Sequence, residues 1–346
     1  MSPAKRANRR VTLQDVADRV GITAAACSMA LRDSDRISPT TKEQVRAVAA
    51  ELGYVGSSAA RALRRQRAGA VALIVPTTSK HVFGHSYFMH VLSGVTSVAN
   101  DHDTQVLIAT NADEARGLTA YERVMRSHSA DGAILTSAAI EDETVDRLLA
   151  SGLPLVLIGN FPQLAAAITV SVDDRTASRE ATEHLIVVHG RRRLLHLTGP
   201  LDHQTGVDRR DGFHDAVAAH GLEEEAVSLE GDFSEEAGRQ LVEGRADTFD
   251  GIVAANDDMA FGALTALRER GRDVPGEVAL IGFDDFGLSR VTTPAISTVA
   301  VPAEEMAAVA TERLLELIDG RAAGWTRRRM DVTFRFRASC GCDQKL

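Results

Sequence analysis

The chain has 346 residues, of which 44% are hydrophobic and 25% charged, a composition that is ordinary for a soluble protein of about two or three domains. It contains no apolar run of about 18 residues, so we expect no transmembrane helix. The N-terminus is basic and leads into a polar helix, not into an apolar signal core, so we expect a cytoplasmic protein with no membrane partner.

The charge is distributed unevenly along the chain. Residues 1–69 carry 13 Lys and Arg against 6 Asp and Glu, a net charge of +7, whereas the remaining residues have a net charge of −16. A basic head on an acidic body indicates a polyanion as the partner of the head alone. The alternative is a solvated charge run without a partner.

Three short helices are predicted in residues 1–55 from their terminal signals. Each follows a side chain that can cap the free N–H groups of a first turn, and the first and third end at a glycine. The caps and ends are Thr12 and Gly21 for the first helix, Thr23 for the second (Ala24–Leu31), and Ser38 and Gly53 for the third. Their apolar residues recur at helical spacing and predict a small core that includes Cys27.

Residues 56–69 have few apolar side chains and carry four arginines. They can form a turn or two of helix but cannot bury it alone, so we predict a linker that becomes ordered only on a partner.

From Ala70 onward, short β-rich runs alternate with amphipathic stretches. The runs are 71–75, 106–109, 132–136, 155–158, 194–198, 251–255 and 278–283. This alternation predicts parallel sheets with helices on both faces, and about nine strands over some 270 residues favour two lobes over one. Ligands of such sheets bind beyond the carboxyl ends of the strands.

Several motifs together carry a family resemblance over about residues 11–340. "VTLQDVADRVGI" and "RISPTTKEQVRAVAAELGY" resemble the N-terminal signature of the lactose/galactose repressor (LacI/GalR-type) transcription regulators. "LPLVLIGN", "SVDDRTASREATEHLI", "HGRRRLLHLTGP", "DRRDGFHDAV", "AANDDMAFGALTALRERG", "VPGEVALIGFDD" and "TPAISTVAVPAEEMA" follow in that family's order.

The resemblance implies an α/β protein with an all-α helix-turn-helix head, a hinge helix and a two-lobed core like a periplasmic binding protein. It also implies a homodimer on double-stranded operator DNA, controlled by a small-molecule effector, most simply a sugar. The implied spans are a head at 1–55, a hinge at 56–69 and a core at 70–341, with lobe 1 at about 70–170 and 301–329 and lobe 2 at about 171–300 and 330–341.

In this family the second helix of the head enters the major groove. Its outward stripe is expected to be Ala24, Ala25, Ser28, Met29 and Arg32. Relatives commonly have an arginine at the position of Met29, so the paired contact to guanine is missing here, and we predict that the helix reads shape and thymine methyl groups more than guanine edges. Alternatively, Met29 has no reading role.

Other head and hinge residues complete the implied DNA contacts. Leu63 matches the leucine that hinge helices insert into the minor groove, although it can also be an ordinary linker leucine. The family usually has Pro then Asn where this chain has Gly56 and Ser57. The full set of expected DNA contacts is Thr12, Thr23, Ala24, Ala25, Ser28, Met29, Arg36, Ser38, Thr41, Tyr54, Ser57, Arg61 and Leu63.

The effector is expected between the lobes. Four polar residues match positions at which relatives bind sugar hydroxyls, namely Asp173, Arg209, Asn256 and Asp284. Four aromatic residues can supply flat apolar faces for a ring, namely Tyr87, Phe88, Phe161 and Phe233. The alternatives are ordinary core packing for the aromatic side chains and helix capping for Asn256.

Two departures from the family weaken the assignment of a specific sugar. Val301 stands where sugar-binding relatives often have Gln, so an amide group is missing. The usual "Asn-Pro-Phe-Phe" is His85-Ser86-Tyr87-Phe88 here; His85 can recognise a carboxylate or phosphate, or simply be a surface histidine.

Other functions have less support. We find no metal-spaced His set and no nucleotide or hydrolase motif, so we expect neither an enzyme nor a cofactor. Cys340 and Cys342 are too close for an easy disulfide, and no nearby His or Cys has zinc spacing, so we expect no metal. A regulator that answers to a nucleobase, another metabolite or a partner protein, and a cytoplasmic solute-binding protein, remain as alternatives.

Overall fold

The computed structural model describes residues 11–54, 67–112, 119–245, 247–321 and 323–342. The chain divides into two compact units, Met1–Gly69 and Ala70–Leu346. Within the described ranges, no helix combines the length and apolar character that a membrane span requires.

Residues 11–54 of the smaller unit contain three helices, α1 (Leu13–Val20), α2 (Ala24–Leu31) and α3 (Pro39–Leu52). The predicted caps are confirmed, since the hydroxyls of Thr12, Thr23 and Ser38 each accept a backbone N–H from the first turn. Gly21 and Gly53 end the first and third helices at φ values of 80° and 65°, which a glycine adopts without a steric penalty.

A small apolar core holds the three helices together. Cys27 is fully buried in it with Val16, Ala17, Ala30 and Val45, which confirms its expected place. Burial also raises the pKa of the Cys27 thiol. The thiol is therefore protonated and contributes to packing alone.

In its described residues the larger unit contains two six-stranded sheets. In chain order β1 to β12 are Ala70–Thr78, Gln105–Asn111, Gly132–Thr136, Leu155–Ile158, Thr169–Ser171, Leu194–Thr198, Ala226–Glu230, Gly251–Ala254, Ala279–Asp284, Ser297–Ala300, Arg327–Arg329 and Thr333–Arg335. The first sheet has the strand order β11-β5-β4-β3-β1-β2, and all of these strands are parallel. The second has the order β12-β10-β9-β8-β6-β7, in which β12 is antiparallel to its neighbour and the other described strands are parallel.

Helices connect the strands and cover the sheets. In chain order α4 to α13 are Ser79–Gly84, Ser86–Asp101, Ala120–Ser127, Glu143–Ala150, Asp174–Val187, Gln204–Ala219, Glu235–Val242, Asp257–Glu269, Leu288–Val291 and Ala303–Ile318, and a short 3₁₀ helix follows at Ala338–Cys340. Most strands are parallel, and those that lie between helices are mainly apolar, as in β3 and β8, where every residue is buried.

The chain passes between the two sheets after Ser171, Ala300 and Arg329. Each sheet therefore combines strands from distant parts of the sequence. Because parallel strands present their carboxyl ends at one edge, the loops after β3, β4 and β9 lie around a common space between the sheets. The candidate site is in this space.

Candidate functional site

A cavity lies beyond the carboxyl ends of the strands in the larger unit. Its empty volume, counted together with the open space at its mouth, is about 900 Å³. Seven of the eight side chains assigned above to the effector line it: Tyr87, Phe88, Phe161, Arg209, Phe233, Asn256 and Asp284.

Arg209 is the buried cation of the cavity. Its Nε donates to Asp174 Oδ1 at 2.8 Å, and its Nη1 lies 3.5 Å from Asp284 Oδ1. The guanidinium also donates to the carbonyl of Ala255 and stacks over the ring of Phe283, with 3.6 Å between Cζ and the ring centroid. Arg209 is thus fixed by two carboxylates, a carbonyl and an aromatic face before any ligand binds.

The two carboxyls that contact Arg209 are perturbed by burial. Burial raises the pKa of Asp174, and it raises that of Asp284 well above its ordinary value; in both cases the nearby guanidinium opposes the effect in part. A single arginine therefore faces two desolvated carboxyls, and the polar part of the cavity has an excess of acidic groups.

The backbone that presents Asp284 is strained. Asp284 and Asp285 have φ values of 112° and 61°, which side chains other than glycine rarely adopt. The carboxylate of Asp285 holds this turn by accepting from Arg337 Nη2 at 2.6 Å, Arg290 Nη2 at 2.9 Å and Ser289 Oγ at 3.0 Å. These arginines keep the pKa of Asp285 below its usual range against the opposing effect of its partial burial. Strain at a cavity residue that its surroundings enforce is typical of a functional position.

Aromatic side chains form the apolar wall. Tyr87 Oη lies 3.1 Å from Thr136 Oγ1, and burial raises the pKa of Tyr87 to about 12, so the phenol stays neutral and can donate a hydrogen bond. Phe88 meets Tyr87 edge to face, with the ring centroids 5.2 Å apart. The ring of Phe233 packs so tightly on Gly199 that a Cβ there would lie 2.1 Å from its Cζ.

Asn256 is a helix cap and also lies in the wall of the cavity. Its Oδ1 accepts the backbone N–H of Met259 at 2.9 Å and caps α11, and its Nδ2 donates to the carbonyl of Phe233 at 2.9 Å. The amide also lines the cavity. The capping alternative is therefore confirmed, and the two hydrogen bonds fix the orientation of the amide in the cavity wall.

Asp173 does not line the cavity, and Asp174 takes its place. Asp173 is the N-cap of α8: its Oδ1 accepts the N–H of Thr176, and its Oδ2 accepts from Arg329 Nη1 at 2.7 Å. The Asp173 carboxylate is used to cap its own helix. The Asp174 carboxylate is therefore the one that lies beside Arg209 in the cavity. The capping signal in "SVDD" was present in the sequence and would have distinguished the two aspartates.

Asn160 and Gln204 also line the cavity but had not been assigned from the sequence, whereas the role of His85 had been left open. Asn160 and Gln204 donate to the two oxygens of Asp208, each at 2.7 Å. His85 Nδ1 lies 3.3 Å from Asp258 Oδ2. Because Asn160 follows a strand of the first sheet and Asp208 lies on α9 of the second lobe, the Asn160–Asp208 bond joins the lobes across the cavity.

In the smaller unit the outward face of α2 is narrower than expected. Ser28 is buried and Ala24 and Met29 are half-buried, whereas Ala25 and Arg32 are exposed. The assignment of Ser28 to the outward stripe is therefore corrected. The reason is that α2 consists almost entirely of small and apolar residues and packs against both α1 and α3 over a wide arc.

Most of the other described head residues that were assigned to DNA are exposed, and their contact with DNA stays a prediction. Arg36, Ser38 and Thr12 are exposed, and Tyr54 packs on the edge of the head core. Ser38 Oγ lies 2.8 Å from Thr41 Oγ1 at the start of α3. Ser57, Arg61 and Leu63 lie outside the described residues.

The expectation that no metal ligands converge is corrected by the structure. Two histidines and two cysteines from distant parts of the chain place one ligand atom each within 4.8 Å of the others: His184, His189, Cys340 and Cys342. Sequence spacing missed them because about 150 residues separate the two pairs. The cluster lies outside the cavity.

Comparisons with known proteins decide the family. Residues 12–57 match the family described as bacterial regulatory proteins, lacI family, and residues 182–340 match a periplasmic binding protein-like domain. The transcriptional regulator CelR of Thermobifida fusca is 32% identical over 323 residues, which cover 90% of this chain and 93% of CelR. The chain belongs to the lacI family of bacterial regulatory proteins.

The structural comparisons agree with this assignment. A solved CelR–cellobiose complex has a TM-score of 0.71 and 29% identity, covering 95% of this chain and all of that one. A lac repressor dimer bound to operator has a TM-score of 0.83 but 22% identity, covering 96% and 99% of the two chains, and supports the fold alone. This lacI-family protein is therefore a DNA-binding transcriptional regulator with a binding-protein-like core.

Proposed function

We propose that this regulator binds a roughly palindromic operator as a homodimer and that a neutral, hydroxyl-rich sugar in the cavity controls that binding. The choice of ligand rests on one observation, the contacts of Arg209 with the carboxyls of Asp174 and Asp284. A neutral polyol uses the remaining acceptor and donor positions of these groups without adding charge.

The electrostatics of the cavity favour a neutral ligand over an anionic one. Each basic side chain of the lining already has a carboxylate partner: Arg209 has Asp174 and Asp284, His85 has Asp258, and His203 has Asp202 at 2.6 Å. A phosphate or carboxylate would have to compete with these carboxylates in a desolvated space. Sugar hydroxyls instead donate to Asp284 and accept from Arg209.

The aromatic wall supports a pyranose ring. Tyr87, Phe161 and Phe233 line the same cavity as the charged groups, so one side of a ligand meets apolar faces while another meets hydrogen-bonding groups. Cellobiose, which the solved relative CelR binds, is therefore the first ligand to test, with monosaccharides as shorter probes.

The DNA-binding surface of this proposal is the head. Ala25, Met29 and Arg36 are the proposed base-reading residues, and Thr12, Thr23, Ser38, Thr41 and Tyr54 are proposed to position the backbone phosphates. The net charge of +7 in residues 1–69 supplies the attraction to DNA. Closure of the lobes on the effector would change the distance between the two heads of a dimer and so change operator affinity.

The test of the ligand is calorimetry on the full-length protein with cellobiose, glucose, galactose, a sugar phosphate and adenine. We expect heat with a neutral sugar and a roughly 10- to 100-fold weaker affinity in Asp284→Asn, because the variant can place an NH2 group where the carboxyl accepts, and a buried hydroxyl left without its acceptor costs about 1–3 kcal/mol. Asn tolerates the backbone conformation of Asp284.

The matched control is Asp173→Asn, which makes the same chemical change outside the cavity and keeps an effective cap. It should bind the sugar within about twofold of the wild-type affinity. Equal losses in both variants would contradict a direct role of Asp284. An absence of heat with every small ligand would overturn the sugar proposal and favour a partner protein as the signal.

A further inference from the structure

Four potential metal ligands converge at the C-terminal end of the chain. They come from the last turn of α8, the loop after it, and the 3₁₀ helix at Ala338–Cys340 with the residues that follow: His184, His189, Cys340 and Cys342. We call these four residues the His2Cys2 cluster. All of their ligand atoms lie within 4.8 Å of one another.

The distances within the cluster match those of a tetrahedral metal site. His184 Nε2 lies 3.1 Å from His189 Nε2, 3.4 Å from Cys342 Sγ and 3.7 Å from Cys340 Sγ, and Cys342 Sγ lies 3.3 Å from His189 Nε2. Zinc–nitrogen bonds of about 2.0–2.1 Å and zinc–sulfur bonds of about 2.3 Å at tetrahedral angles give N···N separations of roughly 3.4 Å and N···S separations of roughly 3.6 Å. Each of the four observed separations is within about 0.3 Å of these values.

Local structure holds the ligands in this arrangement. Gly341 has a φ of 102°, and a Cβ at this position would lie 3.1 Å from His189 Nδ1, so the Cys-Gly-Cys turn can close on the histidine only with glycine at its centre. The ring of His184 stacks on Phe336, with centroids 3.7 Å apart and an interplanar angle of 11°. The histidine ring is thereby fixed with its Nε2 facing both thiols.

We propose that the His2Cys2 cluster binds one Zn²⁺ ion per chain. Two imidazole nitrogens and two sulfurs form a donor set that zinc prefers, and four protein ligands fill its tetrahedral shell, which is typical of a structural site. On binding, the two thiols each lose a proton to solvent and become thiolates, so the site carries no net charge with Zn²⁺ bound.

The position of the cluster indicates what the ion does. It joins the C-terminal segment to α8, whose first residue, Asp174, contacts Arg209 in the cavity. His184 is ten residues further along the same helix, about 15 Å away at the rise of an α-helix. The ion is therefore separate from the cavity and acts as a cross-link within the second lobe.

The test starts from the full-length protein, purified under reducing conditions and dialysed to remove loose metal. Elemental analysis should find about one zinc per chain, consistent with a closed four-ligand site. After removal of zinc with a chelator, Co²⁺ alone should give thiolate-to-cobalt charge-transfer bands and the visible bands of tetrahedral cobalt. The melting temperature should fall on zinc removal and recover on zinc addition.

Variants assign the ligands. Cys342→Ser and His189→Gln should each lose zinc and the tetrahedral cobalt spectrum. The matched controls are Cys27→Ala, which changes a cysteine in the core of the smaller unit, and His102→Gln, which changes an exposed histidine. Both controls should retain the zinc and the tetrahedral cobalt spectrum. If a cluster variant fails to fold, the cobalt spectrum of the wild-type protein still decides.

Three results would overturn the proposal. The first is wild-type protein with neither zinc nor a thiolate–cobalt spectrum. The second is equal metal content in the cluster variants and the controls. The third is a disulfide between Cys340 and Cys342 in reduced preparations, which mass spectrometry detects as the loss of two hydrogens.

Discussion

The guanidinium of Arg209 lies between two buried carboxyls, and a third buried carboxyl, Asp257, lies nearby at the start of α11. Asp257 Oδ2 accepts the backbone N–H of Asp285 at 2.9 Å and so supports the strained turn that presents Asp284. Burial raises the pKa of Asp257 from 3.8 to about 7. The group that steadies the cavity is therefore half-protonated near neutral pH.

This shift makes the stability of the protein depend on pH in a defined direction. Between pH 3.8 and about 7 the folded state keeps the Asp257 proton that the unfolded state has released. The contribution of this group to the free energy of unfolding therefore falls as pH rises through that window, by at most about 1.4 kcal/mol per pH unit, and is constant above it.

Asp257→Asn removes this titration and keeps an oxygen that can accept from Asp285. We expect the unfolding free energy of the variant, relative to wild type, to increase from pH 5 to pH 7 and to level off by pH 8. Urea unfolding of both proteins at these pH values measures the difference and cancels the other titrating groups. Parallel curves would show that Asp257 ionises normally in the folded state.

At the scale of single elements, the sequence predicted the helix ends and the strands that depend on residues close together in the chain. The helix ends at Thr12, Thr23 and Ser38 were found because a cap needs only neighbouring residues. Seven strands were found because each contains a short run of mainly apolar residues. Five strands were not among these runs: β7, β11 and β12 lie at sheet edges and expose much of their surface, and β5 and β10 are only three and four residues long.

What the sequence could not predict depends on neighbours that are distant along the chain. Ser28 was placed outward because helical periodicity does not reveal how wide an arc α1 and α3 cover. The His2Cys2 cluster was missed because only folding brings α8 to the C-terminal segment. The polar cavity residues that had been assigned were found through a family resemblance, not through spacing, and Asp173 was assigned in place of its neighbour because position-by-position matching ignored the cap.

The reading face of α2 gives a prediction at this scale. Met29 is half-buried beside the exposed Ala25 and Arg32, so an arginine at position 29 can extend from this face to a guanine edge. Met29→Arg should increase affinity for half-sites with guanine at the facing position by about 1–3 kcal/mol relative to other bases. Binding of both proteins across a randomised operator library measures this preference.

A control separates base reading from added charge. Gln14 is exposed on α1, so Gln14→Arg adds the same charge away from α2 and should strengthen binding to all sequences alike. If Met29→Arg gives the same uniform gain, or no change in preference, then α2 does not read bases at this position.

At the scale of the whole molecule, each unit has its own apolar core. Residues 11–54 are built around the cluster that contains Val16 and Cys27, and the larger unit has other clusters, one of which includes residues of both sheets. The two parts also differ in net charge, which is +7 in residues 1–69 and −16 in the remaining residues. DNA binding and ligand binding are therefore expected to reside in different parts of the chain.

A fragment of residues 70–346 tests this division. It contains every residue of the cavity and of the His2Cys2 cluster, so it should fold, bind the sugar within about twofold of the full-length affinity, and retain the metal. It should lose DNA binding even at low salt, because the acidic body repels a polyanion once the basic head is removed. Calorimetry and gel-shift measurements on the fragment and the full chain check both expectations. If the fragment retains operator affinity, the head is not the DNA-binding unit; if it folds but binds sugar far more weakly, the cavity depends on residues 1–69.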